Sequence, residues 1–270
     1  MQIKKCDDEL AKFYNMLIMR KHFSFQRFAD GEHWILQGKR FRLGPKERDH
    51  GYVNSEDWKS FHPLFNFRQR RALFRCLRFK SASNYLGLIV GNSQENRDLT
   101  NRLISISGQD SENLTFANLF VNANFSYFEE KMIPEFAKWN IVLICNEKSI
   151  LGQPLSSAVK FRFDVGSNCI VNDFDLVRKL KRFVLKNQIE NHLFLFACST
   201  LGNFCVTELA RVSPNNTYID CGSTLNAHLG LSTDRAYLSA AAGESYRGQA
   251  PQNDWLYVEE VWPWPNSEAS

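Results

Sequence analysis

Two carboxylates separated by a single glycine, Asp30 and Glu32, follow an aromatic run near the start of this 270-residue chain. The alternation in residues 23–26 predicts a buried strand just before them. In extended backbone, residues i and i+2 point to the same side, so both carboxylates would face one point. Such a pair suits Mg²⁺ or Mn²⁺ when a substrate phosphate completes the coordination, and Gly31 lets a ligand approach the backbone. The same residues also fit an Asp-Gly turn in which Glu32 caps the next helix.

The residues around this pair resemble a family signature. Residues 27–32, Arg-Phe-Ala-Asp-Gly-Glu, resemble the motif of the D-fold glycosyltransferases (GT-D), formerly a domain of unknown function. In that family the Asp-x-Glu pair holds a divalent cation and, through it, the diphosphate of a nucleotide sugar. The position before the aspartate is commonly glycine in the family and is Ala29 here, which argues against a positive φ but leaves both carboxylates in place.

The length and composition fit a soluble, cytoplasmic protein. We expect one domain over residues 1–270, with a core at about 22–240 and an extension at 241–270 that packs on it. Seven cysteines without a Cys-x-x-Cys pair indicate reduced thiols. No apolar run approaches the 18 residues of a membrane span, and the N-terminus lacks the apolar core of a signal peptide.

Positive charge is concentrated in the first third of the chain. Residues 20–80 hold fifteen Lys/Arg against six Asp/Glu, about +9, so the remainder carries about −5 of the net +4. This asymmetry favours an anionic ligand over a membrane surface. Within a helix predicted over 57–79, Arg68, Arg71, Arg75 and Arg78 share one face. That face could be solvated, could bind phosphate or could bind nucleic acid.

The pattern of apolar runs predicts an α/β fold. Strands are predicted at 23–28, 85–90, 114–121, 140–145, 168–172, 192–197 and 217–220. Helices are predicted from Asp7 or Asp8 to about 17, and at 97–106, 125–139 with an interruption at Pro134, 173–187 and 200–212, with a loop at 39–56. Most strands are continuous apolar runs, as in a largely parallel sheet with helices on both faces. We therefore expect a Rossmann-like, GT-D-like domain.

In such a sheet, ligands bind beyond the carboxyl ends of the strands. The segment from Ser199 to Gly202 opens a helix there and offers backbone N–H groups to an anion, although it could also be a simple helix cap. The chain has neither Gly-x-Gly-x-x-Gly nor a Walker lysine, which counts against dinucleotides and against P-loop phosphotransfer.

The resemblance continues in the last third of the chain. Residues 220–223, Asp-Cys-Gly-Ser, resemble the family's Asp-x-Gly-Ser turn, and Arg235 stands where the family has an Arg-Gly-Tyr-like segment. Asn122 resembles the polar end of the family's middle strand. The similarity spans about residues 22–240.

This resemblance implies a metal-dependent glycosyltransferase that moves a hexose or pentose, such as glucose or xylose, from a UDP-sugar to a hydroxyl of a glycan or glycoprotein, with inversion. Asp30 and Glu32 would hold Mn²⁺ or Mg²⁺, and Asp220 or Glu244 would act as the base. The residues expected to bind the donor are Arg27, Asp30, Gly31, Asn122, Ser199, Gly202 and Arg235.

Two other functions remain open from the residues alone. A metal-dependent phosphohydrolase or nucleotidyltransferase could use the same Asp-x-Glu pair, and a nucleic-acid-binding protein could use the Arg68–Arg78 face. We expect no nucleic-acid partner. No sequence signal identifies the sugar, the acceptor, the linkage or the oligomeric state.

Overall fold

The computed structural model describes residues 2–44, 58–89, 94–121, 124–231 and 261–264, with the backbone alone described for 2, 3, 94–96 and 261–264. The strands are β1 (Gln2–Lys5), β2 (Ser24–Phe28), β3 (Phe41–Leu43), β4 (Lys59–Phe61), β5 (Asn84–Leu88), β6 (Leu114–Phe116), β7 (Asn140–Asn146), β8 (Val159–Val165), β9 (His192–Phe196), β10 (Thr217–Asp220) and β11 (Val261–Trp264).

The helices are α1 (Cys6–Ile18), α2 (Asp30–Gln37), α3 (Phe67–Leu77), α4 (Gln94–Ser107), α5 (Phe125–Tyr127), α6 (Ile133–Phe136), α7 (Leu155–Ala158), α8 (Cys169–Asn172), α9 (Leu176–Lys186) and α10 (Leu201–Val212). Short 3-10 helices lie at Ser111–Asn113 and Gly222–Leu229, and a π-helical turn lies at Phe128–Met132. None of the helices in the described part of the chain is both long and apolar enough to cross a membrane.

Seven of the described strands form one sheet in the order β6-β5-β2-β10-β9-β7-β8, and each neighbouring pair is parallel. From β2 the chain runs outward to β5 and β6 on one side. It returns from the other edge through β9 to β10, so the two halves of the sheet meet between β2 and β10.

Helices cover both faces of the sheet, because consecutive residues of β2, which point to opposite faces, contact different helices. Phe25 packs against Phe13 of α1, with ring centroids 5.2 Å apart. Gln26, next along the strand, accepts a 3.0 Å hydrogen bond from the hydroxyl of Thr207 in α10. The predicted parallel α/β fold is therefore confirmed.

The seventh strand of the sheet differs from the prediction. Residues 168–172 are wrong as a strand, since Asn168 has a left-handed backbone (φ 52°) and α8 follows it. The strand at this edge is β8, which pairs only with β7 among the described strands. Its Lys160, Phe161 and Arg162 are exposed, so it lacks the continuous apolar run by which the other strands were predicted.

Two predicted helices also need correction. The first half of the 57–79 helix is wrong: β4 pairs antiparallel with β3, and α3 begins only at Phe67. Pro63 explains the break, because a proline disfavours helical backbone in the residue before it. The 125–139 segment is α-helical only in part: α5 ends at Tyr127, a π-helical turn spans Phe128–Met132, and α6, which carries Pro134 in its first turn, ends at Phe136.

The chain ends meet outside the main sheet. β1 pairs antiparallel with β11, so part of the 241–270 extension lies along the N-terminal strand. The seven cysteines are all buried and free of disulfides, which confirms the expected thiols.

Candidate functional site

The predicted site residues lie where the two halves of the sheet meet. Asp220 is the last residue of β10, and Asp30 follows β2 after a single residue. Since β2 and β10 are parallel neighbours, their carboxyl ends lie at the same edge. In open α/β sheets this edge, at the point where the strand order reverses, is where ligands bind.

The Asp-x-Glu pair is not extended, so the expected i, i+2 geometry is wrong. Asp30 and Glu32 both lie in the first turn of α2, where residues two apart do not face each other. Glu32 folds back so that its Oε2 accepts a 3.0 Å hydrogen bond from the N–H of Ala29, as a helix cap does. The capping interpretation of Glu32 is therefore confirmed. Asp30 is partly exposed and has no hydrogen bond or ion pair with a described residue.

Glu32 is also held from α10. The hydroxyl of Thr200 donates a 2.5 Å hydrogen bond to Oε1 of Glu32. Burial raises the pKa of the Glu32 carboxyl, while the hydrogen bonds from Thr200 and Ala29 and the charge of Arg27 act in the opposite direction. This carboxylate is thus fixed at both oxygens, whereas Asp30 is open to a ligand.

Arg27 links strand ends across the sheet. Its Nε donates to the carbonyl of Ala117 at 2.7 Å, and its Nη1 donates to the carbonyl of Cys221 at 3.0 Å. Ala117 follows β6 and Cys221 follows β10, so the guanidinium lies across the edge of the sheet that carries the site. These bonds use two of its five N–H groups, which leaves three for an anion.

Asp220 is buried beside Arg27, with 4% of its surface exposed. Its Oδ1 accepts a 3.1 Å hydrogen bond from the N–H of Gly222. Burial raises the pKa of this carboxyl to about 7; the charge of Arg27 lowers it and that of Glu32 raises it further. The structure therefore brings Arg27, Glu32 and Asp220 into one electrostatic cluster.

The predicted backbone anion site is only partly open. Ser199 has a left-handed backbone (φ 52°), which costs a non-glycine residue about 1–2 kcal/mol. The N–H of Gly202 donates to the carbonyl of Ser199 at 2.8 Å, and a Cβ on Gly202 would lie 3.4 Å from Asp220. Gly202 therefore packs behind the site. Gly31 differs, because a Cβ there would meet nothing within 4 Å.

Three predicted residues, Asn122, Arg235 and Glu244, lie outside the described residues. The structure adds polar groups that were missed. Asn203 follows Thr200 at i+3, on the same face of α10, and its fully buried amide has no partner among the described atoms. His33, the next residue of α2 after Glu32, is buried, and burial lowers its pKa to about 4. In the sequence, the only indication of a role for His33 is its position directly after Glu32.

The carboxylates at this edge are compatible with a divalent cation. No group of three or more His, Cys, Asp and Glu side chains in the described ranges is arranged to hold a metal. Mg²⁺, however, is commonly held by one or two carboxylates together with waters and substrate phosphates. Asp30 has its lone pairs free of described partners, and each oxygen of Glu32 accepts one hydrogen bond and retains a further lone pair. These carboxylate oxygens are therefore suitable ligands for a divalent cation, and those of Asp30 are the more accessible.

A cavity of about 460 Å³ lies away from this edge, between α3, α9 and α10. It is lined in part by Ala72, Phe174 and Phe204, and includes none of the carboxylates described above. The candidate site therefore rests on the chemistry of the strand ends and not on the shape of this cavity.

No model of a known protein family matches the sequence, and no curated protein matches it. Solved structures, in contrast, do match this chain. A new glycosyltransferase (DUF1792) from Streptococcus sanguinis is similar over 84% of this chain and 85% of its own, with a TM-score of 0.53 and 13% identity. A selenomethionine-substituted structure of domain of unknown function 1792 is similar over 84% and 82%, with a TM-score of 0.50 and 16% identity. The chain therefore shares the fold of these structures, which is the GT-D fold. This is the fold of the family whose motifs the residues around Asp30 and Asp220 resemble.

Proposed function

We propose that this protein is a glycosyltransferase that moves a sugar from a UDP-sugar to a hydroxyl of a glycan or glycoprotein. The observation that carries this proposal is the cluster of Arg27, Glu32 and Asp220 at the meeting point of β2 and β10. Asp30 lies partly exposed at the start of α2, next to this cluster in the chain. The fold shared with the Streptococcus sanguinis glycosyltransferase supports the proposal.

Asp30 and Glu32 would hold Mn²⁺ or Mg²⁺. A cation bound there would neutralise the charge that develops on the diphosphate as the glycosidic bond breaks. The hydrogen bonds from Ala29 and Thr200 fix Glu32, so this chain supplies one rigid carboxylate and one that is free to adjust. The fixed carboxylate of Glu32 is preorganised and would need little rearrangement when a donor binds.

Arg27 would bind the diphosphate through the N–H groups that its carbonyl partners leave free. Because Ala117 and Cys221 already orient the guanidinium, little side-chain entropy remains to be lost on binding. The open space at Gly31 gives the donor access to the start of α2. Asn122, Ser199 and Arg235 remain in the proposed donor set, whereas Gly202 packs behind the site.

Asp220 or Glu244 would take the proton of the acceptor hydroxyl as that oxygen attacks the anomeric carbon, and a single displacement of this kind inverts the configuration. A pKa of about 7 suits a base at neutral pH. The 4% exposure of Asp220, however, leaves little room for contact with an acceptor. We therefore assign Asp220 to the positioning of Arg27 and propose Glu244 as the base.

The test is UDP binding measured by calorimetry with Mn²⁺ and with EDTA. We expect EDTA and Asp30→Asn each to weaken binding at least tenfold, about 1.4 kcal/mol. Asp8→Asn is the matched control, because Asp8 is an exposed acid in the first turn of α1. Equal affinity in EDTA would contradict the cation. Turnover of nucleoside triphosphates or phosphate esters, with nucleotide sugars left intact, would indicate a phosphohydrolase or nucleotidyltransferase instead.

A further inference from the structure

The segment from 58 to 80 is strongly basic: it contains seven Lys/Arg and no Asp or Glu. Four of these residues, Arg68, Arg71, Arg75 and Arg78, are exposed and follow one another at i, i+3, i+7 and i+10 along α3 and its end. None of the four forms a hydrogen bond or ion pair with a described residue. The one inward arginine is Arg70, whose guanidinium donates to the carbonyl of Leu36 at 2.9 and 3.1 Å.

Large apolar side chains stand beside these arginines. Leu64 is 77% exposed, Phe65 is 80% exposed and Phe67 is 57% exposed, just before and at the start of α3. Three such residues within four positions are unusual for a soluble surface, since contiguous exposed apolar groups mark interaction sites. The sequence pattern places this stretch inside a longer helix and gives no sign of this exposure. The charge asymmetry alone favours an anionic ligand over a membrane surface, and the exposed apolar side chains change that expectation for this segment.

We propose that this α3 surface, composed of Leu64, Phe65, Phe67 and the four exposed arginines, binds the face of an anionic lipid bilayer. The apolar side chains would enter the boundary between headgroups and acyl chains, and the guanidinium groups would contact the lipid phosphates. Binding of this kind requires apolar area together with positive charge, and the segment supplies both without a compensating acid.

The arrangement suits lipid better than nucleic acid. Binding of single strands uses aromatic rings placed between cationic groups, so that bases stack on the rings. Here Leu64 offers no ring, and the exposed ring of Phe67, which lines a pocket with Arg71 and Arg78, provides a single stacking platform and not a row of them. One side of Phe65 is occupied by His62, whose ring centroid lies 4.6 Å from that of Phe65. Insertion into a bilayer needs only exposed apolar bulk, which these residues provide.

The α3 surface is joined to the candidate site by Arg70. Its bonds to Leu36 tie α3 to α2, and α2, with eight residues, is about 12 Å long. Asp30 lies at the far end of that helix. The lipid proposal is independent of the proposed sugar transfer, because it rests on α3 alone.

The test measures partition of the full chain onto vesicles of phosphatidylcholine alone or mixed with phosphatidylserine. We expect binding to the mixed vesicles only, weakened by salt. Replacing Arg68, Arg71, Arg75 and Arg78 with Gln should reduce partition by at least a hundredfold, at about fivefold for each arginine. The double variant Leu64→Ser/Phe65→Ser should reduce it about tenfold or more. All six residues are exposed, so the variants should fold, and an unchanged far-UV circular dichroism spectrum and urea unfolding midpoint would verify this.

Helix α9 provides the matched control. Lys179, Arg182 and Lys186 repeat the i, i+3, i+7 spacing on its exposed surface, and Leu185 is 57% exposed. Changing these three cations to Gln and Leu185 to Ser should leave partition unchanged. Equal loss in this control would overturn the proposal, as would equal binding to phosphatidylcholine alone. Binding of a single-stranded oligonucleotide or of polyglutamate that Leu64→Ser/Phe65→Ser does not weaken, without vesicle binding, would also overturn it.

Discussion

Thr200 donates a 2.5 Å hydrogen bond to Glu32, a residue 168 positions earlier in the chain. Both residues are buried, at 3% and 8% exposure. The bond joins the start of α10 to the first turn of α2, and therefore joins the ends of two strands that are not neighbours in the sheet, β9 and β2. The position of Glu32 at the candidate site consequently depends on a second helix.

Removal of this bond should affect stability and ligand binding together. We expect Thr200→Val to lower the free energy of unfolding by about 1–3 kcal/mol, because the buried Glu32 loses a donor. Metal-dependent UDP affinity should fall as well, since Glu32 would no longer be fixed. Urea unfolding and calorimetry measure the two effects.

Thr207→Val is the control for this variant. Thr207 lies on the same face of α10 and donates a 3.0 Å bond to the buried Gln26, within the body of the sheet. The control should lose a similar amount of stability and keep its UDP affinity. Equal UDP affinity in Thr200→Val and Thr207→Val would show that Glu32 needs no support from α10.

Gly31→Ala should lower the UDP affinity without lowering the stability of the fold. The added Cβ meets no atom within 4 Å, and alanine favours a helix over glycine by up to about 1 kcal/mol. The variant should therefore be as stable as the native protein or more so. Its UDP affinity should fall, because the Cβ would occupy space that the donor uses. A variant that is stabilised and still binds UDP normally would place the donor elsewhere.

The sheet was predictable from sequence wherever its strands are buried on both faces. β9 and β10 are apolar runs with a polar residue at one end or both, and this pattern can be recognised without knowing which strands pair with them. β8 was missed because its side chains are mostly exposed, and residues 168–172 took its place because Cys169, Ile170 and Val171 form a short apolar run. Such a short apolar run does not distinguish a strand from a single helical turn.

The site was predictable as a set of residue types but not as a geometry. Arg27, Asp30, Glu32 and Asp220 stand at strand ends, and the structure gathers them there. What sequence could not reveal is that Glu32 turns back to cap α2, or that Thr200 reaches it, because both depend on how two distant segments pack. Periodicity reports one element at a time.

Gly222→Ala should disturb Arg27. Gly222 has φ +54°, and a Cβ there would overlap Nη1 of Arg27. We expect a loss of about 1–2 kcal/mol from the backbone and a further loss of UDP affinity from the displaced guanidinium. Gly230→Ala is the control: it has φ +61° in the same segment and contacts Ile150 instead. Equal UDP affinity in both variants would argue against a role for Arg27 in donor binding.

Variants of the two candidate bases should fail in different ways. Asp220→Asn should weaken UDP binding and turnover together, because Asp220 lies beside Arg27 and is buried. Glu244→Gln should keep UDP-sugar affinity and reduce turnover by roughly 10²–10⁴-fold, the usual weight of a general base. Titration calorimetry and initial rates with a glycan acceptor measure both. If Asp220→Asn kept its UDP-sugar affinity and lost turnover, Asp220 and not Glu244 would be the base.

The raised pKa of Asp220 predicts how stability depends on pH. Burial raises it from an ordinary 3.8 to about 7 in the folded protein, so between these values the folded state binds a proton that the unfolded state has lost. Stability from this group is therefore fully present below about pH 4 and is lost as the pH rises through 7. The whole change is at most about 4 kcal/mol. Urea unfolding in EDTA, from about pH 5 to about pH 8, measures it without a bound cation.

Asp220→Asn removes this titration, because an amide resembles the protonated carboxyl. The native protein should lose stability relative to Asp220→Asn as the pH rises through 7. Asp8→Asn should run parallel to the native protein, because Asp8 is exposed. Burial also raises the pKa of Glu32, so Glu32→Gln should remove a further part of the slope in the same direction. Parallel curves for native protein and Asp220→Asn would mean that Asp220 is charged in the folded protein throughout, with Arg27 outweighing the cost of burial.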